Sequence, residues 1–422
     1  MKKNFSKLLL GGALLCGLSI SLTSCEDILG HWERPASNTG TPGGGDGGGS
    51  SAVSVTNIKL SQSMKVIKWG GDAFTITATV TPSDATITWE SSKEAVATVD
   101  ATGKVTPVSK GIATITAKSG DATASCKIFV GNEVDLSTVA NYEVGPYDIL
   151  KNTLNGSYSI TIPNGVIIAF DGMKTTKTIT CQGDATIYLT DGSTNTVDVS
   201  STNYAAGIKV GGTGKTLTID AETAGTGKLD ATGGNGPAGG GAGIGTGYAS
   251  SDNITCGDIT INGGTVNANG GYYAAGIGTG NANNTYKNTC GAITINGGTV
   301  NAIGGQSGAG IGTGNSQSNN TCDAITINGG KVNATGGDKA AGIGTGFASS
   351  FSSQTCGNIT IGTGVTSVTA TKGYENGTGP NSIGKGGTLG GTQNCGTITI
   401  GGEVKDQSEF ATGDTYTYTP AP

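Results

Sequence analysis

Along much of this chain the apolar positions come in short bursts that alternate with Thr and Asn, without helical spacing. Ile259-Thr260-Ile261 puts two isoleucines on one side of an extended backbone and the threonine on the other, because successive side chains of a strand face opposite ways. Thr265-Val-Asn-Ala268 follows after Asn262-Gly-Gly264, and Ala275-Gly-Ile-Gly278 comes next. The unit recurs from Cys290 and from Cys322, with a degraded copy from Cys356. Neighbouring cysteines of this series are 34, 32 and 34 residues apart, and Ile244, Ile277, Ile311 and Ile343 recur at 33, 34 and 32. Such a period marks a solenoid. Helical repeats share it, but this unit has almost no Leu, Glu, Lys or Arg and is rich in Gly, Thr and Asn, which suits short strands and tight turns.

Three apolar stretches per unit predict three strands per turn. That layout resembles the right-handed parallel β-helix of pectate-lyase-like proteins. Stacking then forms inward columns of Ile259, Ile293, Ile325, Ile359 and Ile398, and of Val266, Val300 and Val332. Asn262, Asn296 and Asn328 precede Gly-Gly at a corner, where stacked amides bond from rung to rung. Weaker copies begin near Ser159-Ile-Thr-Ile162 and end at Ile398-Thr-Ile400. About eight rungs result, roughly 38 Å of stack. Residues 158–402 are assigned to the solenoid, 132–157 to a connector and N-terminal cap, and 403–422 to a C-terminal cap and tail.

Residues 53–131 alternate on a two-residue period in Phe74-Thr-Ile-Thr-Ala-Thr-Val80 and Ile112-Ala-Thr-Ile-Thr-Ala117. Turn chemistry separates them at Pro82-Ser-Asp84 and Ala101-Thr-Gly103, predicting a small β-sandwich. Thr81-Pro-Ser-Asp-Ala-Thr-Ile-Thr-Trp-Glu-Ser-Ser92, Val96-Ala-Thr-Val-Asp100, Gly103-Lys-Val-Thr106 and Lys110-Gly-Ile-Ala-Thr-Ile-Thr-Ala117 resemble the group 2 bacterial immunoglobulin-like domain of intimin- and invasin-type adhesins. The likeness implies a spacer or adhesive module with no catalytic residues, with Trp89 as a core anchor. The fold class is therefore all-β: an immunoglobulin-like sandwich followed by a parallel β-helix.

The first 24 residues read as an export signal. Lys2, Lys3 and Lys7 precede an apolar stretch from Leu8 to Ile20, too short to span a membrane. Leu22-Thr23-Ser24-Cys25 resembles the bacterial lipobox, which implies lipidation of Cys25 and anchoring to the membrane. Glu26-Asp27 resembles the acidic export tag of surface lipoproteins. The expected address is the outer membrane, facing outward. Residues 25–52 form a flexible tether around Gly43-Gly-Gly-Asp-Gly-Gly-Gly-Ser50. Without residues 1–24 the chain keeps 21 basic and 30 acidic residues, a net charge of −9, with Arg34 as its single arginine. That balance speaks against nucleic acid as a partner. Cys181, Cys256, Cys290, Cys322, Cys356 and Cys395 lack the paired spacing of a zinc site and are expected as stacked thiols, with disulfides between neighbouring rungs the geometrically awkward alternative open in an oxidising compartment.

The chain is poor in catalytic chemistry. Gly211-Gly-Thr-Gly-Lys-Thr216 mimics a phosphate loop, but a strand and no helix follows it. Asp191-Gly-Ser-Thr-Asn-Thr-Val-Asp198 clusters oxygens without the carboxylates of a calcium loop. Asp258 and Asp323 have Ala292 and Asn358 at equivalent places, and only Asp220, Glu222 and Asp230 could gather in one rung. No metal, cofactor or catalytic residue is assigned, and the expectation is a protein without enzymatic activity. Five aromatic residues are the candidate ligand-binding set: Tyr204, Tyr272 and Tyr273 just before the Ala-Ala-Gly-Ile stretch, and Tyr248 and Phe347 just after Thr-Gly. Rings among Asn and Ser suit sugar faces. Adhesion or glycan binding at a cell or host surface is the function expected, with a polysaccharide-degrading β-helix enzyme and a purely structural spacer as alternatives.

Overall fold

The computed structural model describes residues 57–139, 142–223, 225–283, 285–374 and 379–421. The signal, Cys25 and the tether lie outside the described residues.

The chain is all-β. Asn57–Leu60 pairs antiparallel with Ala78–Thr81, and Thr88–Ser91 pairs with Gly111–Ser119, which pairs with Ala122–Asp135. Ile76, Val105, Ile115, Cys126 and Ile128 fill the sandwich core. Trp89 is half-buried and packs against two apolar clusters of the sandwich.

Ala122–Asp135 does not stop at the sandwich edge. Its first part pairs with Gly111–Ser119, while Asn132, Glu133, Val134 and Asp135 pair in parallel with Asp148, Ile149, Leu150 and Lys151. One strand thus belongs to the sandwich at one end and to the first coil of the solenoid at the other. The connector of the sequence reading supplies that first coil. Met64, Val66 and Phe129 pack on Ile149, Ala169 and Tyr188 across the junction. Phe129 meets Tyr147 and Tyr188 edge-on, with ring centroids 5.8 and 5.9 Å apart. Glu222, 2 % exposed, accepts the Val66 N–H, accepts the Asp191 N–H at 2.7 Å, and pairs with Lys65 at 3.2 Å. Burial of this carboxyl is offset by two backbone donors and the Lys65 ammonium.

The solenoid follows as stacked parallel strands. The Ile-Thr-Ile strands pair in register, Ile259 with Ile293, Ile325, Ile359 and Ile398 in turn, all buried. Their threonines face out as a ladder from Thr186 through Thr218, Thr260, Thr294, Thr326 and Thr360 to Thr399. Val266, Val300 and Val332 form a second inward column. The Asn corner ladder is present: Asn296 donates to Asn262 Oδ1 and Asn328 to Asn296 Oδ1, each at 2.9 Å. A third sheet, eight strands deep, carries Ile244, Ile277, Ile311, Ile343 and Ile383. Its glycines are obligatory. Gly278 has φ +131°, and a Cβ there would lie 1.9 Å from the Gly312 carbonyl of the next rung.

Three strands per turn is one too few. Ile254–Thr255, Asn288–Cys290, Asn319–Cys322, Ser353–Cys356 and Thr392–Cys395 form a fourth parallel sheet. Its inward face alternates an amide with a cysteine on the middle three strands. Asn288, Asn320 and Gln354 stack fully buried, and their amide N–H groups donate to turn carbonyls such as Gly247, Gly280 and Phe347. The amides leave a single inward cysteine per strand as the apolar signal, so a hydrophobic pattern passes over the strand.

The C-terminal end is closed by antiparallel strands. Glu403–Lys405 pairs with Ile398–Ile400, and Thr415–Tyr418 with the strand at Val368–Thr371. Between them the 3-10 turn Gln407–Phe410 plugs the core with fully buried Phe410, edge-on to Tyr416 at 5.0 Å.

Candidate functional site

The turns before four of the Ala-Gly-Ile stretches bend through a left-handed, non-glycine residue. Tyr204, Tyr273, Ser307 and Lys339 hold φ values of 67°, 66°, 66° and 64°. Such a backbone is disfavoured by about 1 kcal/mol or more. Here each carbonyl is tied by an N–H from the turn after the glycine strand: Tyr248 to Tyr204 at 2.9 Å, Asn315 to Tyr273 at 2.7 Å, Phe347 to Ser307 at 3.0 Å and Gly387 to Lys339 at 2.7 Å. The first of these ties brings two aromatic residues together.

Tyr248 is brought onto Tyr204, with centroids 4.9 Å apart, and is 9 % exposed. Burial, then the neighbouring Tyr204, raises the Tyr248 phenol above its ordinary value. Tyr272 and Tyr273 form a second pair at 4.0 Å, the Tyr272 hydroxyl donating to the Tyr273 oxygen at 3.1 Å. That hydrogen bond is the first cause of the raised Tyr273 phenol. Phe347 is half-buried under the Lys339 ammonium, 5.2 Å from its centroid. The five aromatics thus form two pairs and a separate ring. Of the five, Tyr272 is the exposed one, at 37 %.

Two clefts border these pairs. The first, about 430 Å³, is lined by Asn203, Asn235, Gly236, Pro237 and Tyr272. Asn235 Oδ1 accepts the Tyr272 N–H at 2.7 Å and so fixes the backbone that carries the exposed ring. Asn235–Gly236 and Gly239–Gly240 form a small hairpin over Tyr204; a Cβ on Gly236 would lie 2.4 Å from that ring. The second cleft, about 380 Å³, includes Lys209, Tyr248, Asp252 and Asn253. Tyr204, beside Asn203 of the first cleft, stacks on Tyr248 in the wall of the second. Sequence reasoning missed Asn203, Asn235, Pro237 and Lys209. The available signal was length: the stretch between Gly234 and Gly243 is longer than its counterpart between Gly271 and Gly276.

Several acidic residues serve the scaffold. Asp258 Oδ1 accepts the Ala292 N–H at 2.8 Å, and Asp184 Oδ1 the Thr216 N–H at 2.9 Å, each tying one rung to the next. Of the trio Asp220, Glu222 and Asp230, Glu222 is buried at the junction, Asp220 accepts the Ala221 N–H at 2.9 Å, and Asp230 pairs with Lys228 at 3.0 Å. Asp191 is taken by the Thr223 N–H and hydroxyl, and Asn195 accepts the Gly172 and Met173 N–H groups. Among the described residues no three metal-ligating side chains gather.

Comparison with known proteins defines the class of the two modules. Residues 54–128 match the family model of the bacterial Ig-like domain (group 2), and 259–281, 293–315 and 325–347 match the beta helix repeat. The chain is thus a group 2 Ig-like domain followed by β-helix repeats. It is also similar to the kappa-carrageenase of Pseudoalteromonas carrageenovora, 35 % identical over 101 residues. The stretch covers 23 % of this chain and 25 % of the carrageenase. The expectation of a protein without enzymatic activity is corrected by this match, since its relative is by name an enzyme. That expectation rests on scarce acidic residues in the repeats, and scarcity along a scaffold does not test the remaining surface.

Proposed function

We propose that this protein engages polysaccharide on the flank of its β-helix, displayed at the cell surface by a lipid on Cys25. The observation that carries the reading is the cleft at Tyr272. An exposed ring, backed by Tyr273, stands beside Asn203, Asn235 and Pro237 in about 430 Å³, the size and mixture of apolar face and polar edge that a sugar ring needs. The partner Tyr273 and the Asn235 bond hold Tyr272 before any ligand arrives, so little freedom is lost on binding. Adhesion to glycan-bearing surfaces follows from the same site.

Cleavage of the bound polymer is the second reading, favoured by the similarity to a carrageenase. One experiment addresses both. The full chain is titrated against kappa-carrageenan and a panel of neutral polysaccharides, while new reducing ends are followed in the same mixtures. Tyr272→Ala is expected to weaken binding about tenfold to thirtyfold, from the stacking and apolar area lost. Binding unchanged in that variant, or absent for every polymer, overturns the site. Reducing ends that appear with wild-type protein establish the second reading.

A further inference from the structure

The fourth sheet places five cysteines in one line. Cys290, Cys322, Cys356 and Cys395 are register partners on adjacent parallel strands. Cys256 joins them, its N–H donating to the Thr289 carbonyl at 2.9 Å and its sulfur 3.0 Å from that of Cys290. Neighbouring parallel strands lie about 4.8 Å apart, inside the Cα separation of about 4.4–6.8 Å that a disulfide spans, so the awkwardness expected of such a bond lies in side-chain direction and not in reach. All five are free thiols in this structure. Four are buried, and Cys395 is half-buried at the last strand. It lines a cleft of about 500 Å³ with Lys385, Lys405, Asp406 and Gln407. Cys181 and Cys126 are also buried, but they belong to other strands, in the glycine sheet and the sandwich.

We propose that these five residues form a thiol ladder that takes oxidising equivalents from an external disulfide through Cys395 and stores up to two disulfides between neighbouring rungs. The Cys395 thiolate attacks one sulfur of the incoming disulfide, breaking its S–S bond, releasing one thiolate and leaving a mixed disulfide. Cys356 then attacks the Cys395 sulfur, forms the Cys356–Cys395 bond and expels the second thiolate. The two cysteine protons end on the two released thiols, so one disulfide is reduced for each one formed. Attack of Cys322 on Cys356 moves the bond inward and frees Cys395, and attack of Cys290 on Cys322 frees Cys356 as well. The outer pair can then accept a second equivalent.

The odd number has a strict consequence. With two bonds between neighbours, one thiol remains, and it can sit only at Cys256, Cys322 or Cys395. At Cys290 or Cys356 it would leave an odd number of thiols on either side. A chain exported to an oxidising compartment meets disulfides of the required kind.

The test uses the full chain, purified reduced and then exposed to oxidised glutathione in native buffer. Samples are acid-quenched, unfolded, alkylated and mapped as peptides. In wild-type protein every ladder linkage is expected between sequential neighbours, with Cys126 and Cys181 alkylated. Cys395→Ser removes the port, so oxidation of the other four is expected to slow about tenfold or more. Cys322→Ser splits the ladder, leaving Cys356–Cys395 as the bond that forms quickly and Cys256 and Cys290 reduced. Circular dichroism of each variant confirms the fold before the rates are compared. Linkages that skip a rung, thiols that all stay free in folded wild-type protein, or a folded Cys395→Ser variant that oxidises at the wild-type rate each overturn the ladder.

Discussion

Replacing Ile295 by Asp tests the side-chain alternation on which the solenoid rests. Ile295 is fully buried between Ile261 and Ile327 of the adjoining rungs, while Thr294, one residue back, faces outward. Losing the isoleucine removes transfer and cavity energy of about 3 kcal/mol. The carboxyl that replaces it has no donor in that column and stays neutral. Holding it protonated at pH 7 against an ordinary value near 3.9 costs about 4 kcal/mol. The sum, about 7 kcal/mol, is of the order of a whole domain's stability. Equilibrium urea unfolding of Ile295→Asp, Ile295→Asn and Thr294→Asp at pH 7 and pH 4 reads both parts. Thr294→Asp is expected within about 1 kcal/mol of wild type. The gap between Ile295→Asp and Ile295→Asn should narrow as pH falls, because the protonation penalty disappears near the carboxyl's own pKa. Equal midpoints for Ile295→Asp and Thr294→Asp would refute the inward assignment.

Three further outcomes follow from contacts described above. Gly278→Val sets a side chain against the Gly312 carbonyl at a left-handed backbone, and a loss of several kcal/mol in urea unfolding is expected. Glu222→Ala strands the Val66 and Asp191 N–H groups at the junction, a loss of about 2–4 kcal/mol, with hydrogen exchange rising first around residues 64–68. The Asp184 carboxyl is held below its ordinary value of 3.8, first by the Thr216 N–H. Its stabilisation is therefore complete above that value and fades as pH drops through the folded value, so Asp184→Asn should flatten the acid limb of the stability curve.

Much of the solenoid is legible because stacking forces repetition. Ile259, Ile293 and Ile325 must occupy one column, so their spacing announces the rung. The fourth sheet is not legible in the same way. Asn288, Asn320 and Gln354 face inward, and what makes them suitable is a set of turn carbonyls that no local pattern shows. The candidate site divides on similar lines. Tyr272 stands out as an aromatic where other copies carry Asn203, Gln306 and Asp338, but Asn203 and Asn235 join it only through the hairpin that folds over Tyr204. The Cys column is legible as a line of stacked thiols; that it ends at an open cleft is not, because Lys405, Asp406 and Gln407 reach that cleft from the terminal cap.

The strand shared by sandwich and solenoid gives assembly a direction. A coil of this solenoid is laid down against the edge of the coil before it, and a first coil has none. Asn132–Asp135 is such an edge, held straight by a sandwich that closes its own core with Ile76, Ile115 and Ile128. Synthesis delivers that edge before any repeat emerges. The immunoglobulin-like domain thus offers the first coil a ready edge, and the stack runs from that edge to Phe410.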